Sequence, residues 1–421
     1  MHDTEGPLRI CLTSYRSNPH CGGQGVYIKH LSQALADQGH HVDILAGPPG
    51  FPIEEKKIRL FRLTGLDLYN PDDLFRMPTF RELCDPVNLI EWLGVSSMGF
   101  PEPFIFGIRA RRFLMKRRRA YDVVHDNQSL SYGIRAVGRS VPTVATIHHP
   151  ITVDRKVALK AACGWSEKIK QLRWHSFIRM QKAVAGTFSR IITVSEQAKK
   201  DIAREFGIPE DRFRVVPNGI CTDLFFPVPG VEREKNRIIA TSSADIPLKG
   251  LYYLLLAVAK LSASRRNLRL IVVGTPNRNG RTQQLIGELG IADRVKFTGR
   301  IDHLEFVRQY ARATVAVVPS VYEGFGLPAG EAMACAVPVV CTTGGALPEV
   351  VGNAGMLVPP ADHEAMARAI GQILDDPPLA GRLGNAGYRR VQTNFTWKKA
   401  AEKTAAVYRE VICDHGRFPE A

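Results

Sequence analysis

Read for its apolar and polar positions, the chain alternates short hydrophobic runs with longer stretches of helical spacing, and it does so twice. Leu8 to Leu12 is a short apolar run ending in Thr13-Ser14-Tyr15, the profile of a strand that feeds a loop. From Val26 to Asp37 the residues Ile28, Leu31, Ala34 and Leu35 fall on one helical face, and Gly39 suits a helix stop. Val42 to Ala46 reads as the next strand, which completes a βαβ unit. Further strands are expected at Val123 to His125, Thr143 to Ile147, Ile191 to Val194 and Val215-Val216. Residues 51–120, rich in proline and aromatic side chains, break the alternation and read as an irregular insertion.

Pro217-Asn218-Gly219 is a turn signal, and Pro227, Pro229 and Gly230 follow among alternating charges. A linker is therefore expected over 218–235. The pattern then restarts. Strands are expected at Ile238 to Thr241, Leu268 to Val273, Val295 to Phe297, Val315 to Val318 and Val337 to Cys341, with a helix over Leu251 to Ala263. Two successive α/β halves predict two Rossmann-like domains, 1–217 and 236–395, facing across a cleft. Residues 396–421 supply a C-terminal helix and tail, with helical periodicity from Trp397 to Val411.

Composition changes this picture little, but charge changes it more. Hydrophobic residues make up 45% of the 421 and charged residues 23%, ordinary values for a globular chain. No apolar run approaches the roughly 18 to 20 residues of a membrane span. The polar start does not read as a secretory signal. Eight cysteines without a C-x-x-C pair suggest neither zinc nor a disulfide framework, so a reducing, cytoplasmic setting is expected. The net charge is +15, and residues 101–200 alone carry +14 of it. Such a concentration calls for an anionic partner. Its densest part runs from Arg109 to Arg119, where Arg109, Arg112, Lys116 and Arg119 share one side at helical spacing and Phe106 and Phe113 another. That reads as a basic amphipathic helix for a membrane surface or an acceptor. Nucleic acid fits less well, because few aromatic residues interleave with the charge.

The residues just after the strands are where an open α/β sheet places its ligands. After Val315 to Val318 comes PSVYEGFGLPAGEAMA, with Glu323 in the loop, Gly324-Phe325-Gly326 offering backbone amides, and Pro328 and Glu331 in the first turn of a helix. Carboxylates accept pairs of hydroxyl hydrogen bonds, and amides at a helix start suit a phosphate. The combination describes a site for a polyhydroxylated, phosphorylated ligand.

The string YEGFGLPAGEAMACAVPVV with TTGGALPEVVG resembles the donor-sugar motif of the family 4 glycosyltransferases, retaining enzymes of GT-B fold that use nucleotide-sugar donors. The likeness extends to the Gly22-Gly23 loop, VVPNGI at 215–220, LKGLYYLL at 248–255 and Phe395-Thr396-Trp397, but not to residues 51–120. The resemblance implies a role for each matching residue. Glu331 would hold the donor ribose, and Glu323, with the amides from Gly324 through Phe325 and Gly326 to Leu327, the sugar. Lys249 would pair with the diphosphate beside the amides of Gly22 and Gly23. Arg300 and Ile301 would edge the nucleobase. His148, or its neighbour His149, would approach the transferred sugar. It also implies no metal or other cofactor, a UDP- or GDP-sugar as donor, and a C-terminal helix returning to the first domain. One departure stands out: the arginine usually found five or six residues before the lysine is replaced here by Ala244 and Ser243.

The expected activity is transfer of a sugar to a hydroxyl acceptor, a lipid or lipid-linked glycan at the inner face of the cell membrane. Two alternatives stay open on the residues alone: a same-fold nucleotide-sugar epimerase or hydrolase, and a non-catalytic nucleic-acid binder using the basic segment. The glycines at 22, 23 and 25 lack the third glycine of a dinucleotide fingerprint. Ser195 reads as a helix cap rather than a nucleophile.

Overall fold

The computed structural model describes residues 6–16, 23–48, 57–68, 73, 76–162, 164–242, 246–277 and 280–417. The chain divides into two compact units. The first is Met1–Val194, Lys199–Val216 and Trp397–Ala421; the second is Ser195–Ala198 with Pro217–Thr396.

The first unit is built on seven parallel strands in the order β3-β2-β1-β4-β5-β6-β7. They are β1 (Arg9–Ser14), β2 (His41–Ala46), β3 (Ile58–Arg62), β4 (Val123–Asn127), β5 (Thr143–Ile147), β6 (Ile191–Thr193) and β7 (Phe213–Val215). The apolar runs form the central strands because a parallel sheet is covered on both faces. β4 and β5 are buried at every position. The helix Gly23–Asp37 packs on one face through Ile28, Leu31 and Leu35. The helix Trp397–Arg417 joins the same core through Ala401, Tyr408 and Val411. Its Tyr408 hydroxyl bonds the buried His125 Nδ1 at 2.7 Å, and His125 Nε2 meets Thr146 Oγ1 at 2.6 Å. Burial holds that imidazole neutral, with its pKa lowered to about 3.

The second unit repeats the theme with six strands in the order β10-β9-β8-β11-β12-β13. These are β8 (Arg237–Thr241), β9 (Arg269–Val273), β10 (Val295–Phe297), β11 (Val315–Val318), β12 (Val339–Thr342) and β13 (Met356–Val358). All are parallel. The helix Leu251–Ser262 lays Leu254, Leu255 and Val258 on the sheet, as its apolar spacing requires. The strand order reverses between β1 and β4 in one sheet and between β8 and β11 in the other, which are the ligand-binding positions of such sheets.

Two expectations are corrected. Residues 51–120 are not irregular where the structure describes them. They contain the edge strand β3 and the helices Phe80–Leu83, Pro86–Ser96 and Glu102–Met115. Nor is 218–235 a free linker: Arg233 donates to the carbonyls of Ala313 and Ala336, and Glu234 N bonds Arg312 O, so the segment packs on the second unit. Among the described residues, no helix is long and apolar enough to cross a membrane.

Candidate active site

Each unit carries one set of polar side chains beyond the carboxyl ends of its strands. In the second unit the set hangs on three loops that touch. Lys249 ends a short 3-10 turn, Pro247–Lys249, between β8 and its helix. Gly250 follows at φ +67°, and a Cβ there would lie 1.9 Å from the Pro319 carbonyl oxygen, so only glycine lets the two loops approach. Val321 N donates to Leu248 O at 2.8 Å and ties the lysine loop to the loop after β11. The third loop, after β12, closes on the same place. Ala346 N bonds Glu323 O at 2.8 Å, and a Cβ on Gly345 (φ +65°) would meet that oxygen at 2.1 Å.

These backbones bring Lys249 and Glu323 together. Lys249 Nζ lies 2.7 Å from Glu323 Oε1, which also accepts from Ser320 Oγ at 2.8 Å. The carboxylate side chain is 13% exposed and the lysine 36%, so the pair is open on the ammonium side. Gly324, Phe325 and Gly326 lead into the helix Leu327–Ala334, with Pro328 in its first turn. Phe325 is buried edge-on to Phe395. Gly326 stands at φ +98° as the N-cap. Glu331 falls one turn further along than expected, since the helix has no acidic residue in its first turn. Burial pushes its carboxyl up to about 7, against a hydrogen bond from the Tyr310 hydroxyl. Arg300 and Ile301 follow β10, the outer strand of this sheet, with Arg300 exposed. Among the described residues, no hydrogen bond or ion pair joins them to Lys249 or Glu323. Ser243 and Ala244, where the resemblance lacks its arginine, lie outside the described residues.

In the first unit the set is neutral. His148 directly follows β5, and its Nε2 lies 2.8 Å from Asn127 Oδ1 at the end of β4. Its backbone N–H donates to Gln128 Oε1 at 2.9 Å, and the Tyr27 ring stands edge-on 4.7 Å away. Desolvation first, then the neighbouring His149 and His125, lowers its pKa to about 3, so it stays an uncharged imidazole. Asn127 Nδ2 reaches back to the Gln24 carbonyl in the helix that Gly23 opens. Gly22 lies outside the described residues. His149 turns elsewhere: its Nε2 meets Asp154 Oδ2 at 2.8 Å. Of the two histidine side chains, that of His148 is the one bonded to Asn127 at the β4 end, while His149 meets Gln128 only through its backbone carbonyl.

The basic segment is not the single face that helical spacing suggested. Its helix ends at Met115, and a separate 3-10 turn carries Arg118 and Arg119. Arg109 points inward, 12% exposed, with Nη2 at 2.7 Å from Glu91 and 2.6 Å from Asn88. Arg112, Lys116 and Arg119 are exposed. Phe113 packs between Phe61, 5.0 Å away, and Arg117, whose guanidinium lies 4.1 Å from its centroid. Sequence reasoning passed over Asn127, Gln128, Ser320 and Tyr310. The first two could have been found from the run Asp126-Asn127-Gln128-Ser129, polar residues placed directly after an apolar strand. Ser195 is the expected cap, accepting from Ala198 N at 3.0 Å.

Two family descriptions match the chain: "Glycosyltransferase Family 4" over residues 21–224 and "Glycosyl transferases group 1" over 226–390. The chain belongs to this glycosyltransferase family, and its two units are the two Rossmann-like domains of the GT-B fold. It is 45% identical over 409 residues to the MMP α-(1→4)-mannosyltransferase of Mycolicibacterium hassiacum, covering 96% of this chain and 98% of that one. The D-inositol 3-phosphate glycosyltransferase of Corynebacterium diphtheriae is 28% identical over 433 residues, 95% and 94% of the two chains. Among solved structures, the sucrose-phosphate synthase of Thermosynechococcus elongatus superposes with a TM-score of 0.74 at 28% identity, covering 97% of this chain and all of that one. The protein is therefore a sugar-transferring enzyme, and the epimerase and nucleic-acid readings give way.

Proposed function

We propose that the enzyme moves a mannosyl residue from a nucleotide-activated donor to a hydroxyl of a glycan acceptor, with retention of the α configuration. The observation that carries this reading is the 45% identity, along nearly the whole chain, to an α-(1→4)-mannosyltransferase. The geometry of the second unit supports it. Breaking a glycosyl–phosphate bond leaves negative charge on the diphosphate and positive character on the sugar. Lys249 supplies a held cation for the first, and Glu323, already fixed by Ser320, accepts hydroxyls of the sugar. Glu331 takes the donor ribose; its ionised form accepts a pair of hydroxyls, and those hydroxyls offset the desolvation that raises its pKa. Neutral His148 offers the transferred sugar a hydrogen bond without a fixed charge to oppose the developing cation. Departure and attack occur on one face, assisted by the leaving phosphate. The acceptor is lipid-linked and met at a membrane surface, with the exposed Arg112, Lys116 and Arg119 nearest it.

The test is a thermal-shift panel of GDP-mannose, UDP-glucose and ADP-glucose, followed by proton NMR of the product made from the stabilising donor. GDP-mannose at about 100 times its dissociation constant should add about 2.7 kcal/mol. Stabilisation by another donor alone, or a β-linked product, overturns the reading.

A further inference from the structure

We infer that the first unit docks on an anionic lipid surface through the apolar sides of two short helices, Pro86–Ser96 and Trp165–Trp174. This rests on the reading of a lipid-linked acceptor and names the part of the protein that meets the lipid.

The helix Trp165–Trp174 has no buried residue. Its apolar side chains recur at helical spacing, yet Trp165 is 83% exposed, Ile169 51% and Leu172 52%. Such a stripe normally packs on a core, and here no described residue buries it. The helix Pro86–Ser96 is inverted in the same sense. It buries Glu91 against Arg109 and turns Leu89, Ile90 and Leu93 to solvent at 39%, 46% and 52%. Phe80, in the preceding helix, is 84% exposed. The two helices meet: Arg173 Nε donates to Ser97 O at 2.5 Å, and the Trp174 ring stacks 4.9 Å from Phe100. Nine of the fourteen large apolar side chains exposed among the described residues fall within 77–98 and 165–172. Exposure so concentrated marks an interaction surface rather than ordinary scatter.

Charge selects the occupant. Lys168, Lys170 and Arg173 interleave with the apolar stripe on one helix, against the single acid Glu167. The helix Glu102–Met115, which packs on the other, exposes Arg111 and Arg112. Apolar side chains ringed by basic ones are the signature of a helix lying in a lipid interface. A second copy would bring two positive faces together, whereas an anionic bilayer complements both features. Where the two helices meet, Phe100 also takes the Arg16 guanidinium 4.8 Å from its centroid, which places that junction past the carboxyl end of β1. A lipid-borne acceptor is thereby met on the side of the unit that carries the histidine.

The experiment uses the full chain and vesicles of phosphatidylcholine with or without phosphatidylglycerol. The wild type should sediment with the anionic vesicles, and brominated acyl chains should quench its tryptophan emission, with most of that quenching lost in Trp165→Phe. The variant Trp165→Ser/Ile169→Ser/Leu172→Ser should weaken vesicle binding at least about tenfold with an unchanged Tm. Leu89→Ser/Leu93→Ser should do the same to a lesser degree. Unaltered vesicle binding by both variants overturns the inference, as does a wild-type dimer that the serine variants dissolve while vesicles are ignored. Vesicle binding needs no turnover. Failure of the mannosyl donor in the thermal-shift panel therefore leaves this result standing, and failure to bind vesicles leaves the transfer reading standing.

Discussion

The candidate sites of the two units are built in opposite ways. In the second unit the site consists of charges held by one another, Lys249 on Glu323 at 2.7 Å, on loops that close glycine approaches and backbone hydrogen bonds lock together. In the first unit the site consists of neutral groups, His148 on Asn127 at 2.8 Å, and the charge is pushed out to exposed arginines. On the proposed function, the difference follows the bond being broken. A leaving diphosphate gains charge that a preorganised cation stabilises, while a sugar turning cationic is poorly served by a fixed positive neighbour. Removing the lysine therefore gives the largest expected effect. Lys249→Ala should lower kcat/KM about 10²- to 10³-fold, with little change in Tm because the pair is partly exposed. Unchanged rates at limiting donor break the contrast at its centre.

His148→Ala is the corresponding cut in the first unit, with an expected loss of about 10²-fold in kcat. The wild-type pH–rate profile sharpens the point. An imidazole held near 3 does not titrate between pH 5 and 8, so no step near 6.5 should belong to this residue. A step near 6.5 that His148→Ala removes shows that the histidine works as a charged acid.

Glu331→Gln comes next, and it separates function from stability. The folded carboxyl lies near 7, above its unfolded value, so the native state holds the proton more tightly. That stabilisation is complete below the ordinary carboxylate range and is lost as pH rises through about 7. Glutamine removes the ionisation. The variant should gain about 1 to 2 kcal/mol over the wild type at pH 8 and almost nothing at pH 5. It should also bind donor about tenfold more weakly, read by thermal shift with nucleotide sugar at both pH values. A variant that binds donor normally removes Glu331 from the ribose.

Much of this contrast was legible from the chain. Every central strand announces itself as an apolar run, and the glutamate string places the second site on its loop. What escaped did so for physical reasons. β3 (Ile58–Arg62) is an edge strand with one buried residue, so it carries no continuous apolar run. β13 is three residues long. The helices Phe80–Leu83 and Pro86–Ser96 turn apolar residues outward, and the second buries Glu91, which inverts the pattern that sequence reading relies on. Arg109 was misplaced for the same cause: its partner Glu91 sits among leucines on another helix, and spacing within one helix cannot show that. The residues that orient the sites, Asn127 and Ser320, are small polar groups whose meaning appears only when two strand ends come together.

Ser320 provides the finest test of the comparison, because it touches the pair without being charged. It is 2% exposed, its hydroxyl donates to Glu323 Oε1 at 2.8 Å, and its carbonyl accepts from the Thr342 hydroxyl. The end of β12 thus holds Ser320, Ser320 holds Glu323, and Glu323 holds Lys249. If the site is a rigid arrangement of mutually paired charges, Ser320→Ala should loosen the carboxylate and cost roughly 1 kcal/mol of transition-state stabilisation, about a fivefold loss in kcat/KM. Tm should hardly move, since Thr342 still binds the backbone. In a double-mutant cycle with Glu323→Gln the two losses should be less than additive, for the hydroxyl acts only through the carboxylate. Full additivity makes Ser320 a separate support of the loop and leaves the lysine alone to hold Glu323 in place.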